Sequence, residues 1–221
     1  FMSKQIRVLH FLNQFFAGVG GEEKANLPVE ILDGPAGPGR ALDQLLGTDG
    51  TIVATVFAGD NYFAEETDAA RVVVLNALEQ YKPDVVVAGP AFNAGRYGLA
   101  CGEVCVTANS KNIPAVTAMY PENPGVLEYV KHVYIVPTGD MPTTMDQALK
   151  ALARITIKLG NSRDLGPAES EGYLPRGIRR PGLRSESASR RAVDLVVNRL
   201  TGKEWETELP IQAPEMVSPA K

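Results

Sequence analysis

A chain of 221 residues, 44% hydrophobic and 22% charged, has the make-up of an ordinary globular protein and enough length to bury a substantial core. Its formal net charge of −4 gives no general attraction to nucleic acid, and no apolar stretch reaches the roughly 20 residues that a membrane-spanning helix needs. The only two cysteines form no disulfide framework, so a reducing, cytoplasmic setting is expected.

The first sixteen residues lack the cleavage region of a signal peptide, and "IRVLHFLNQ" (6–14) reads as a strand. The next stretch is rich in glycine and proline, with a short helix expected near 39–46. "TIVATVFAG" (51–59) is the second strand, followed by a helix over 65–82 with Thr67 or Asp68 as its N-cap. The third strand, "DVVVAGPAF" (84–92), leads into a helix at 96–112. Strands at 113–120 and 132–137 flank a helix at 123–131, and a long amphipathic helix at 143–160 closes the domain. Several strands are apolar without alternation, as expected where a sheet is covered on both faces. The alternation predicts an α/β fold: an open, mainly parallel sheet of about five strands, Rossmann-like or flavodoxin-like, flanked by helices. Residues 3–160 are expected to form this ligand-binding domain. Residues 161–202 should add a loop and a helix at 186–202 packed on it. Residues 203–221, rich in proline and acid, should form an extended tail that docks on a partner.

Ligands of open α/β sheets bind at the carboxyl ends of the strands, and the unusual residues of this chain follow its strands. The loops are "NQFFAGVGGEEKA", "GDNYFAEE", "GPAFNAGRYG", "MYPENPG" and "PTGDMPTT". "GVGGEEKA" lacks dinucleotide-binding spacing, and no Walker A motif occurs, which argues against an ordinary nucleotide site. Glu22 and Glu23 suit an ammonium group, or else a helix N-terminus. Cys101 and Cys105 fall one helical turn apart, with no His/Cys cluster nearby to complete a metal site and poor geometry for a disulfide. Both are expected to pack against the sheet. His10 and His132 are expected to be structural, and no metal site is expected. The basic cluster at 175–191 reads as a solvated loop and helix start.

Taken together, "LNQFFAGVGGEEKA", "GPGRAL", "AGDNYFAE", "AGPAFNAGRYGLACG", "MYPENPGV" and "EGYLPRGIRR" resemble the amino-terminal half of the selenoprotein B subunit family of glycine, sarcosine and betaine reductases. The likeness is collinear to about residue 205. It implies part of a reductase that cleaves the C–N bond of a small amine-containing substrate. In that family a pyruvoyl-bearing subunit engages the amine. A selenocysteine in the carboxy-terminal half takes up the carboxymethyl group and passes it to a selenoprotein A. The Sec/Cys-x-x-Cys type motif of that second half is absent from this sequence, and Cys101 and Cys105 are no substitute for it. The resemblance therefore implies the amino-terminal subunit of a split oxidoreductase, inactive alone. Its partners would be a second-half chain bearing Sec or Cys, with a pyruvoyl subunit and a selenoprotein A-like carrier. The competing reading is a stand-alone binding or regulatory protein that has lost the chemistry. A small zwitterion needs both signs of charge, which makes Glu22, Glu23, Asp60, Asn61, Asn93 and Arg96 the candidate substrate-binding residues. No catalytic residue is expected in this chain.

Overall fold

A computed structural model describes residues 5–162, 165–177 and 186–205. Its strands are β1 (Ile6–Asn13), β2 (Glu30–Asp33), β3 (Gly50–Ala58), β4 (Val85–Phe92), β5 (Ala115–Met119) and β6 (Tyr134–Pro137). They form one sheet of six strands in the order β2-β3-β1-β4-β5-β6. Every neighbouring pair is parallel except β2 with β3. The apolar runs of β1 and β4 end up central and buried, because a strand without alternation satisfies both faces only when both are covered.

The helices are α1 (Gly39–Leu46), α2 (Asp60–Glu65), α3 (Thr67–Tyr81), α4 (Gly95–Ser110), α5 (Pro124–Tyr129), α6 (Met145–Gly160), α7 (Ala168–Glu171) and α8 (Ala188–Leu200). Two hydrophobic cores lie on opposite faces of the sheet. One gathers Phe11, Val56, Val86 and Met119 with Phe63, Val74 and Val104 from α2, α3 and α4. The other gathers Val8, Ile52, Val87 and Val116 with Leu42 of α1 and Leu152 and Ile155 of α6. The chain divides into two units between residues 178 and 179, and α8 belongs to the second.

The fold class is the expected one, with three local differences. The sheet has a sixth strand, β2, an antiparallel edge of four residues with mostly exposed side chains; so short and polar a strand leaves no periodic signal. The helix expected over 65–82 is α3, which starts at Thr67 with Glu66, not Thr67 or Asp68, at its N-cap, and a separate short helix, α2, precedes it where a loop was expected. A single 3-10 turn, Pro142–Thr144, takes up the start of the expected 143–160 helix. Of the expected tail, residues 206–221 lie outside the described residues. Within its described part, the Arg199 guanidinium lies 5.1 Å from the centre of the Trp205 ring.

Candidate functional site

β1 and β3 end in register, Asn13 opposite Ala58, so the residues that follow them share one edge of the sheet. Asn13 and Gln14 close the apolar run of β1, and both are buried. Their side chains take hold of Asp60, the first residue of α2. The Asn13 amide donates to its carboxylate at 3.0 Å, and the Gln14 carbonyl accepts its backbone N–H at 3.1 Å. Asn13 also accepts the N–H of Phe16 at 2.9 Å, which fixes the turn out of the strand. Burial pushes the Asp60 carboxyl above its ordinary range, the hydrogen bond from Asn13 and the charge of Arg96 oppose that, and the charge of Glu22 adds to it.

Arg96 enters from the other side, in the first turn of α4. Its guanidinium donates to the side-chain carbonyl of Asn61 and lies 3.9 Å from the Glu22 carboxylate, an exposed pair. Glu22, Asp60, Asn61 and Arg96 are thereby brought into one cluster, although they come from three separate segments, each at the start of a helical turn or helix. Two expected residues are placed differently. Glu23 folds back to accept the N–H of Gly21 at 2.8 Å, which holds its pKa below the usual range; it serves its own turn. Asn93 takes part through its backbone, donating to the Asp140 carbonyl at 3.2 Å and tying the loop after β4 to the loop after β6. Among the described residues, no side-chain hydrogen bond joins Asn93 to the Arg96 cluster.

Aromatic rings back this edge. Phe16 lies 5.8 Å from Tyr97 and 6.0 Å from Phe92 between centroids, and Phe15 stands edge-on to Phe16 at 5.4 Å. The Tyr97 phenol is fully buried, and burial above all, with the Asp60 carboxylate adding to it, raises its pKa well above the ordinary value. Sequence reasoning missed Asn13 and Gln14 as the supports of Asp60. The available signal was two amides ending an otherwise apolar strand.

Cys101 and Cys105 are free and fully buried on the sheet-facing side of α4. Burial raises both thiols well above their ordinary range, with the neighbouring Cys105 and Asp60 adding to the effect on Cys101. They remain neutral thiols near pH 7, a form poor both as nucleophile and as metal ligand. His10 is buried with Nε2 2.8 Å from the Gly89 carbonyl, and burial lowers its pKa to about 4. It is a neutral strut between β1 and β4. Among the described residues no group of three or more His, Cys, Asp or Glu is placed to hold a metal ion, and no helix is long and apolar enough to cross a membrane.

The fold is of the open α/β class, and its charged cluster lies at the carboxyl ends of the strands, where such sheets bind ligands. The particular family is settled by sequence: a profile of the glycine/sarcosine/betaine reductase selenoprotein B family matches residues 5–221, and the chain belongs to that family. It is 46% identical over 216 residues to the glycine reductase complex component B subunit gamma of Carboxydothermus hydrogenoformans, covering 97% of this chain and 50% of that protein. Identity to the sarcosine reductase complex component B subunit beta of Peptoclostridium acidaminophilum is 45%, over 98% of this chain and 50% of that protein. For the betaine reductase complex component B subunit beta of the same organism it is 39%, over 96% and 49%. The chain thus spans about half the length of these relatives. No solved structure matches it.

Proposed function

We propose that this chain supplies the substrate-binding edge of a reductase B component, and that its substrate is a small zwitterion of the glycine, sarcosine or betaine kind. The second half of the component would bring the selenocysteine or cysteine that attacks the substrate carbon. A pyruvoyl-bearing subunit and a selenoprotein A-like carrier would complete the reductive C–N cleavage. The observation that carries the reading is the pairing of opposite charges in one cluster, Asp60 and Glu22 against Arg96, in a chain of this family.

The chemistry of the cluster suits exchange. Arg96 is bound to a neutral amide, Asn61, and to an exposed carboxylate; such surface contacts contribute little. A substrate carboxylate would take both guanidinium donors at small net cost and form a stronger forked pair. Asp60, partly desolvated and held by Asn13 and Gln14, gains a counter-charge when an ammonium group arrives, while Glu22 stands at the rim. The test is the rate of the component reconstituted with its second half, measured against substrate concentration. Arg96→Ala should raise the half-saturating concentration about 10- to 100-fold, the loss of one charge-assisted pair, with thermal unfolding of the chain unchanged. Unaltered saturation in that variant would remove Arg96, and with it the carboxylate end of the site.

A further inference from the structure

Glu22 meets Arg96 with a carboxylate, the same group that a zwitterionic substrate would bring. Its Oε2 lies 3.9 Å from the guanidinium, and the two side chains are 85% and 52% exposed. An exposed pair of that length contributes little. The hydrogen bond from Arg96 to the Asn61 side chain does not involve Glu22. A ligand carboxylate that forks onto the guanidinium makes shorter, charge-assisted bonds. It has to take the place of Glu22 to do so, because two carboxylates at one guanidinium repel each other.

The segment that carries Glu22 is held at its ends and light in the middle. Asn13 Oδ1 accepts the Phe16 N–H at 2.9 Å. At the other end the buried Ala25 offers its carbonyl to the N–H groups of Asn61 and Tyr62, at 2.9 and 3.1 Å. Between these anchors lie Gly18, with φ of +78°, Gly20 and Gly21. The 3-10 turn that follows, Glu22–Lys24, has no buried residue and no side-chain cap. Gln14 ties the middle to the sheet edge: its backbone carbonyl accepts the Val19 N–H at 3.0 Å, and its amide donates to the Gly21 carbonyl at 3.4 Å. The carbonyl of that same side chain holds the Asp60 N–H, so the turn and Asp60 share one support. Glu22 also repels the Asp60 carboxylate. Its withdrawal and the arrival of an ammonium group therefore act on Asp60 in the same direction. We propose that Glu22 is a specificity-determining latch, which covers Arg96 until the substrate carboxylate displaces it, so that a ligand without a carboxylate does not open the site. The inference rests on the reading of Arg96 as the carboxylate end of the site. It gives Glu22 a part different from the ammonium contact that its charge alone suggests.

The experiment is an NMR titration of the full chain, as wild type, Glu22→Gln and Arg96→Ala, with glycine, acetate and methylammonium. Glu22→Gln keeps the size of the side chain and removes its charge. It should bind glycine and acetate about 2- to 5-fold more tightly than wild type, the strength of an exposed ion pair expressed as a fold-change. It should bind methylammonium no more tightly. Glycine should shift the backbone resonances of residues 18–24 in the wild type, and the variant should show those shifted positions before any ligand is added. Unchanged or weaker glycine binding in Glu22→Gln would overturn the latch, as would resonances of 18–24 that do not move when glycine binds. The carboxylate end of the site would survive either result if Arg96→Ala still weakens glycine. Equal binding of glycine and acetate by Arg96→Ala and wild type, or no binding of either by the wild-type chain, would remove that reading and the latch together.

Discussion

Asp60 and Glu171 carry perturbations of opposite sign, and the difference separates binding from folding. Burial raises the Asp60 carboxyl above its ordinary value. Between the unfolded and folded values the folded chain therefore holds more protons, and its stability falls as pH rises through that window. The contribution is fully present below the unfolded value and lost above the folded one. Asp60→Asn keeps an acceptor for the Asn13 amide and leaves the Gln14 contact, which uses the backbone. Its melting temperature near neutral pH should equal or exceed the wild-type value, and the difference between the two curves should shrink in acid. Substrate saturation of the reconstituted component should weaken. Glu171 is the reverse case. Lys158 approaches its carboxylate at 2.7 and 2.9 Å and the Gly166 N–H at 3.2 Å, and these hydrogen bonds hold its pKa down. The stability it confers is present above the unfolded value and disappears as pH falls through the folded one. Melting curves of Glu171→Gln should therefore lie below wild type at neutral pH and converge with it in acid. A gap that persists at low pH would mean that packing, not charge, holds α7 against α6.

At the scale of elements, the site depends on how α4 meets α5. Gly98 and Gly102 lie one turn apart on α4, and a Cβ on either would sit 2.1 Å from the Asn123 carbonyl oxygen or 2.0 Å from the Tyr129 ring. Only hydrogen fits at these two positions. Asn123 is fully buried. It caps α5 by accepting the Gly125 N–H at 2.9 Å and donates to the carbonyls of Phe92 and Ala94 at 2.8 and 3.1 Å. It thus ties the end of β4 to the start of α4, which carries Arg96. Asn123→Ala removes a cap worth about 1 kcal/mol and two further hydrogen bonds worth about 1 kcal/mol each, to carbonyls that keep the N–H groups of Tyr120 and Gly98 as partners. We expect a loss of about 2–3 kcal/mol in denaturant titrations, accompanied by weaker substrate saturation. A stable variant would show that water replaces the amide. The same elements explain what the sequence revealed. Long apolar runs and helical spacing made five strands and most helices legible. β2 was not, because four mainly exposed residues take their strand character from pairing with β3. α2 was not, because its six residues, Asp60–Glu65, are too few to show a helical period. At the candidate site, the strand-end rule picked out Glu22, Asp60, Asn61 and Arg96, which the structure brings into one cluster. The supporting amides of Asn13 and Gln14 stayed hidden, because their partner Asp60 is 47 and 46 residues away in the chain.

At the scale of the whole molecule, the two cysteines decide what this chain can do by itself. Both lie in the core between α4 and the sheet, with neutral thiols that no substrate carbon can reach without opening the fold. A displacement by sulfur or selenium therefore needs a nucleophile from elsewhere, which the proposed second half would bring. The purified chain should show no reductive release of amine from glycine, sarcosine or betaine with a dithiol donor, and turnover should appear only on adding the missing half with its pyruvoyl and carrier subunits. Cys101→Ala with Cys105→Ala gives an independent check within the reconstituted component. Truncating two buried side chains should lower stability by on the order of 1–3 kcal/mol and leave the rate at a permissive temperature unchanged. A rate that collapses in a folded double variant would place the thiols in the chemistry, and the division of labour between a binding half and a reacting half would then be wrong. Amine release by the wild-type chain alone would have the same consequence, and it is the more direct measurement, because it requires no partner at all.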